Sequence, residues 1–137
     1  MKKYIILIPI YNDRESLTKL IENINSEIEG INSGISVVVV NDASSQQIID
    51  EYQNTKNINF IEILNMKENR GHTRCIASGL KYIFEKKEFD FVIPMDGDGE
   101  DQPEEITNFI QLSEQSGEKS IVGERVKRSE GLLFKLC

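Results

Sequence analysis

Residues 89–106, FDFVIPMDGDGEDQPEEI, restrict the fold more than any other stretch of this 137-residue chain. Phe89, Phe91, Val92, Ile93 and Met95 form an apolar run too short to span a membrane and of the right length for a buried strand. The run leads directly into Asp96, Asp98, Glu100 and Asp101. Carboxylates crowded this closely repel one another unless water, hydrogen-bond donors or a cation neutralise them. Asp101 and Glu104, with Pro103 between them, have the pattern of a capped helix start. Asp96, Asp98 and Glu100 lack such a local explanation, which makes them candidate ligands of a divalent metal.

Other runs repeat this arrangement. Residues 4–10 and 35–40 are apolar on both faces, as strands of a parallel sheet covered by helices are, and they end in Tyr11-Asn12-Asp13 and Asn41-Asp42. Residues 58–64 read as a third strand and 119–123 as a short last one. Between them lie helical patterns. Asn12 and Glu15 form a capping-box pair ahead of the stripe Leu17, Leu20, Ile21, Ile24 and Ile28. A short helix is expected to carry Ile48, Ile49 and Tyr52. After the turn Asn69-Arg70-Gly71, the residues Ile76, Ala77, Leu80, Ile83 and Phe84 mark a helix face, and Ile106, Phe109 and Ile110 mark another. Leu132, Leu133, Phe134 and Leu136 suggest an apolar helix stopping at Cys137, so residues 1–137 read as one domain truncated on its C-terminal side. Strands alternating with helices imply an α/β fold: a three-layer sandwich with a mostly parallel sheet. Ligands of such sheets bind beyond the carboxyl ends of the strands, where the polar clusters fall.

Composition narrows the partners. A net charge of −7 argues against a nucleic-acid binder. An acidic chain that takes a polyanion needs bound metal or placed arginines, here Arg70, Arg74, Arg125 and Arg128, with Arg125 the first choice. Cys75 and Cys137 make neither a metal pair nor a disulfide framework, in keeping with a reducing, cytoplasmic setting. The acidic loop is not an EF-hand, because Asp101 and Thr107 stand where glycine and glutamate are required. It suits Mg²⁺ or Mn²⁺, which bind through one or two carboxylates and substrate phosphates. Asp42 reads either as an Asx-turn or helix cap or as an acceptor for the ring N–H of a nucleobase, against which Tyr11 would pack. Pro9, Asn12, Asp13 and Glu15 have structural explanations as a strand end, caps and first-turn acids. His72, the only histidine, reads as a solvated residue of a loop or first helical turn, so no histidine-based triad is available.

Taken together, IPIYNDRESL, VVVVNDASS, NRGHTRCIASGL, MDGDGEDQPEEI and IVGERVKR resemble the ordered motifs of family 2 glycosyltransferases with the GT-A fold. The type most resembled is the polyprenyl-phosphate and dolichyl-phosphate sugar transferases. The resemblance spans nearly the whole chain. It implies an inverting enzyme that moves a sugar from a UDP- or GDP-sugar to an acceptor such as a polyprenyl phosphate. A transferase acting on a cell-surface saccharide, or a non-catalytic nucleotide- and metal-binding domain, are the alternatives. By position it implies that Pro9, Tyr11, Asp13, Val40 and Asp42 line the nucleotide pocket. It also implies that Asp96 and Gly97 touch ribose or phosphates, that Asp98 is the principal metal ligand, and that Arg125 contacts phosphate. Glu100 replaces a common glutamine, Asp13 a common glutamate, and Gln102 a usual proline. The family further implies cell-envelope synthesis, a peripheral place at the inner face of the membrane through segments absent here, and homo-oligomer formation. No general base is identified.

Overall fold

A computed structural model of the chain describes residues 1–48, 52, 55–97, 103–115, 124–125 and 132–135. The strand β1 (Lys3–Ile10) lies at the centre, parallel to β2 (Gly34–Asn41) along its whole length, from Lys3 opposite Gly34 to Ile10 opposite Asn41. β3 (Ile61–Asn65) joins β2 and β4 (Phe91–Pro94) joins β1, both parallel. β5 (Glu124–Arg125) and β6 (Leu132–Lys135) complete the order β3-β2-β1-β4-β6-β5 with antiparallel pairings.

The unbroken apolar composition of β1 and β2 follows from their having helices on both faces. One face of the sheet sends Tyr4, Ile6, Ile8, Val37, Val39, Phe91 and Ile93 against helices α1 (Arg14–Glu27) and α3 (Glu104–Gln115). Leu17, Leu20, Ile21 and Ile24 of α1 and Ile106, Phe109 and Ile110 of α3 fill that layer. The other face sends Ile5, Leu7, Val38, Val40 and Val92 against α2 (His72–Lys86), through Cys75 and Ile83. Each fully buried aliphatic side chain contributes about 1.5–3 kcal/mol over its exposed state. Gly79 lets α2 lie this close, since a Cβ there would stand 2.4 Å from Leu7 Cδ1. No helix among the described residues is long and apolar enough to cross a membrane.

Four expectations are corrected. Residues 132–135 form a strand, not a helix. A four-residue run cannot close enough helical bonds to offset nucleation, whereas the edge of β4 offers backbone partners. The cap of α1 is Asp13, whose Oδ1 accepts from Ser16 N at 3.4 Å, and not Asn12, whose side chain is engaged elsewhere. The third strand begins at Ile61 rather than 58, because Ile58 N donates to Thr55 O in a turn and Asn57 N donates to Asn25 Oδ1. The buried face of α2 centres on Cys75, Gly79 and Ile83. Ala77 and Phe84 are exposed, and Phe84 meets Phe89 edge-on instead. Of the expected short helix, Ile48 and Tyr52 pack against the core while Ile49 lies outside the described residues. The expected strand 119–123 and the cap Asp101 also lie outside them.

Candidate functional site

Successive elements place β2 and β3 on one side of β1 and β4 on the other, so the switch in strand order falls between β1 and β4. Their ladder ends where Leu7 pairs with Pro94, and Met95 N donates to Leu7 O at 2.9 Å. Beyond that point Pro9, with no N–H to offer, needs no partner on this side. The ladder stops there, and an open cleft of about 370 Å³ lies at the carboxyl ends of the two strands. Pro9, Ile10, Tyr11, Asp13, His72, Asp96 and Gly97 line it. This is where a sheet of this topology takes its ligands.

Each wall has a local cause. Tyr11 leaves the end of β1 and is 53% exposed, an aromatic face held open to solvent. Asn12 behind it has φ 50°, and its Oδ1 accepts from Ser45 N (2.8 Å), Ser45 Oγ (3.1 Å) and Gln46 N (3.2 Å). Asn12 N in turn donates to Ser44 Oγ at 2.9 Å, so the loops after β1 and β2 are clamped together. Gly97 lies tight against β1, where a Cβ would stand 2.8 Å from Ile10 Cδ1 and 3.0 Å from Pro9 O. Asp96 follows β4, its side chain 38% exposed, and its Oδ1 is 3.2 Å from Nε2 of His72, the first residue of α2.

Asp42 and Val40 do not line the cleft. Val40 is fully buried under α2. Asp42 is 4% exposed; its Oδ1 accepts from Arg70 N at 2.7 Å and its Oδ2 from Gly71 N at 2.9 Å. Burial pushes this carboxyl up, but the two backbone bonds and the Cys75 thiol outweigh it and leave the group below the ordinary carboxylate value. Cys75, buried beside that charge, has its thiol pushed up to about 12 by burial and by its hydrogen bond and proximity to Asp42. Through these two bonds the Asp42 carboxylate anchors the turn that opens α2. Gly71, at φ 92°, supplies the conformation that lets its N–H reach Asp42.

Of the expected set, the structure brings Pro9, Tyr11, Asp13, Asp96 and Gly97 around one cleft. Arg125 lies in β5, beyond β6 from β4. Asp98 and Glu100 lie outside the described residues, and among those described no three histidine, cysteine, aspartate or glutamate side chains gather as metal ligands. The half-exposed Asp96 in an open polar cleft fits a Mg²⁺ or Mn²⁺ ion shared with substrate phosphates and not an all-protein cage. His72 stands in the first turn of α2 and is exposed, as the sequence suggested; its place on the cleft and the clamp made by Asn12 were not foreseen. The signal for His72 was its place directly after a turn that, in a parallel sheet, lies at the same rim as residue 96.

Residues 5–135 match the family model described as Glycosyl transferase family 2. The undecaprenyl-phosphate 4-deoxy-4-formamido-L-arabinose transferase of Pseudomonas syringae pv. syringae is 31% identical over 113 residues, 80% of this chain and 32% of that protein. The protein of the same name from Yersinia pestis is 29% identical over 139 residues, 98% of this chain and 40% of its own length. The chain thus spans about a third to two fifths of these relatives. Among solved structures, the mannosyltransferase PcManGT from Pyrobaculum calidifontis, in complex with GDP-Man and Mn²⁺, superposes with a TM-score of 0.69 at 20% identity, covering 93% of this chain and 36% of that one. TarS from S. aureus in complex with UDP gives 0.61 at 24% identity, covering 82% and 32%. At these identities the structural likeness establishes the fold, the GT-A arrangement.

Proposed function

This chain belongs to glycosyl transferase family 2, and from that premise we propose that it forms the donor-binding part of an inverting glycosyltransferase. The donor is a UDP- or GDP-sugar and the acceptor a polyprenyl phosphate. The observation that carries the reading is the gathering of Pro9, Tyr11, Asp13, Asp96 and Gly97, distant in sequence, around a single cleft at the switch point of the sheet. The names of the curated relatives from Pseudomonas syringae and Yersinia pestis, both undecaprenyl-phosphate sugar transferases, support the lipid acceptor.

In this reading Tyr11 packs on the base, and Asp13 and Asp96 take ribose or phosphate-side contacts. Gly97 allows the diphosphate to approach the backbone. Asp98, with Asp96 and Glu100, would hold a Mg²⁺ or Mn²⁺ ion, which would supply positive charge against the leaving diphosphate. An acceptor phosphate oxygen forms the bond to the anomeric carbon as the bond to the nucleoside diphosphate breaks with its electron pair, inverting the centre. That oxygen is already ionised, so no general base is needed, and arginines such as Arg125 orient it. A polyprenyl acceptor puts this step at a membrane surface, on the cytoplasmic side where nucleotide sugars are held.

The test is nucleoside diphosphate release from a panel of UDP-, GDP-, ADP- and CDP-sugars with polyprenyl phosphate in detergent, using the full-length protein. Release confined to a UDP- or GDP-sugar and abolished by chelation is expected. Donor binding without release under any acceptor supports a non-catalytic binding domain instead, and neither binding nor release from any donor overturns the proposal.

A further inference from the structure

We propose that His72 contacts the diphosphate of the nucleotide donor, an inference that rests on the donor-binding reading above. Two of the groups lining the cleft, Asp13 and Asp96, are carboxylates, and the chain as a whole carries a net charge of −7. An entering diphosphate therefore meets negative charge and gains nothing from the overall field. Among the described lining residues, His72 alone has a side chain that donates through nitrogen. The phenolic O–H of Tyr11 is the other side-chain donor described in the lining.

The ring is built to be held. Its Nε2 lies 3.2 Å from Asp96 Oδ1 and the side chain is 60% exposed, so the N–H at that nitrogen can pass from the carboxylate to a phosphate oxygen without the ring leaving the cleft. The backbone that carries it is fixed from beneath. The two residues before it, Arg70 and Gly71, donate their N–H groups to the buried Asp42, and Cys75 in the next turn packs into the core against the same carboxylate. A side chain at the head of a helix so anchored loses little freedom when it takes up a phosphate oxygen, and an imidazole N–H to a phosphate is a charge-assisted bond. As an isolated surface pair, His72 with Asp96 would contribute almost nothing to stability. Its position in the cleft gives the pair a different use.

The experiment compares wild type, His72→Ala and His72→Gln by calorimetry with UDP, UMP and uridine, and with the guanosine series, in Mg²⁺. His72→Ala is expected to bind the diphosphate roughly tenfold more weakly with little change for the nucleoside. His72→Gln, which keeps an N–H donor, recovers part of the loss. Unchanged thermal unfolding of both variants shows that the loss is local. If wild type binds the diphosphate and both variants bind it equally well, the inference is overturned and the donor reading stands. An equal loss for nucleoside and diphosphate also overturns it, since the ring then shapes the cleft without touching phosphate. If wild type binds no nucleotide, the donor reading itself has failed and takes the inference with it.

Discussion

Asp42 and Asp96 occupy matching places, each just past the carboxyl end of a strand of the same parallel sheet, and they end up with opposite tasks. Asp42 is buried and holds two backbone N–H groups of the turn before α2. Asp96 is half-exposed in a cleft, where its Oδ1 lies 3.2 Å from Nε2 of His72 at the head of α2. The difference lies in what the neighbouring strand provides. Beyond β2 the loop before α2 folds over the strand end and presents donors. Beyond β4 the ladder to β1 stops at the switch point, and a cleft opens on the rim. One carboxylate is spent on the fold and the other faces the cleft, and α2 connects them, anchored by Asp42 and presenting His72 to Asp96.

The strongest challenge to this contrast is to remove each carboxylate in turn. Asp42→Ala leaves the N–H groups of Arg70 and Gly71 without their acceptor in a buried setting, which is expected to cost about 2–4 kcal/mol. Asp96→Asn is expected to change stability by less than about 0.5 kcal/mol while greatly weakening diphosphate binding. Urea unfolding of both variants is the measurement, and equal losses would erase the distinction. The acid limb sharpens it. Because the folded state holds the Asp42 carboxyl below its ordinary value of 3.8, its stabilisation is present above that pH and fades as pH falls below it toward the depressed folded value. Asp42→Asn should lack that part of the acid sensitivity, and Asp96→Asn should keep it.

The layered fold was legible because it depends on patterns that are local. Runs such as IILI and VVVV state burial on both faces, and the stripe from Leu17 to Ile28 states a helix with one apolar side. The family resemblance put Pro9, Tyr11, Asp13, Asp96 and Gly97 in one pocket, and they do line one cleft because the topology carries strand ends to a common rim. Asp42 was only half legible. Its sequence context is that of Asp96, and only the return of residues 70 and 71 across the rim, a contact between distant segments, decides that it is an anchor. The alternative read from the sequence, a local cap, named the right kind of bond with the wrong partner. The place of His72 on the cleft was hidden for the same reason, and residues 132–135 were misread because four apolar residues carry no period to tell helix from strand until β4 supplies an edge.

A smaller effect tests the anchor from its other side. The Cys75 thiol, raised to about 12 from an ordinary 9.0, stays protonated in the fold where the unfolded chain would ionise. Its contribution is complete below 9.0 and declines as pH rises from there toward 12, because the unfolded state binds fewer protons across that window. The slope expected is up to about 1.4 kcal/mol per pH unit. Cys75→Ser keeps a donor for Asp42 and removes the titration, so its stability should vary less than wild type between pH 9 and pH 11. Identical alkaline slopes would mean that the thiol does not feel Asp42, and the anchor would shrink to its two backbone bonds.

The smallest expected effect concerns how the two ends use small residues. Ala43, next to Asp42, is held at φ 58°, a left-handed conformation that costs a residue with a side chain about 1 kcal/mol. It persists because the loop is over-determined: Ser44 N donates to Asn41 Oδ1 at 3.0 Å, and Ser45 and Gln46 are fixed by Asn12. Replacing Ala43 with glycine removes the strain but frees the unfolded chain, so a net gain of about 0.5 kcal/mol is expected. Gly97 at the other end is present for space, and Gly97→Ala, with its Cβ 3.0 Å from the carbonyl of Pro9, should destabilise the fold and displace the acidic loop. The two substitutions should therefore shift the urea midpoint in opposite directions. If Ala43→Gly lowers it as an ordinary loop glycine would, no strain is stored beside Asp42, and the tension between the clamped rim and the open one is confined to hydrogen bonding.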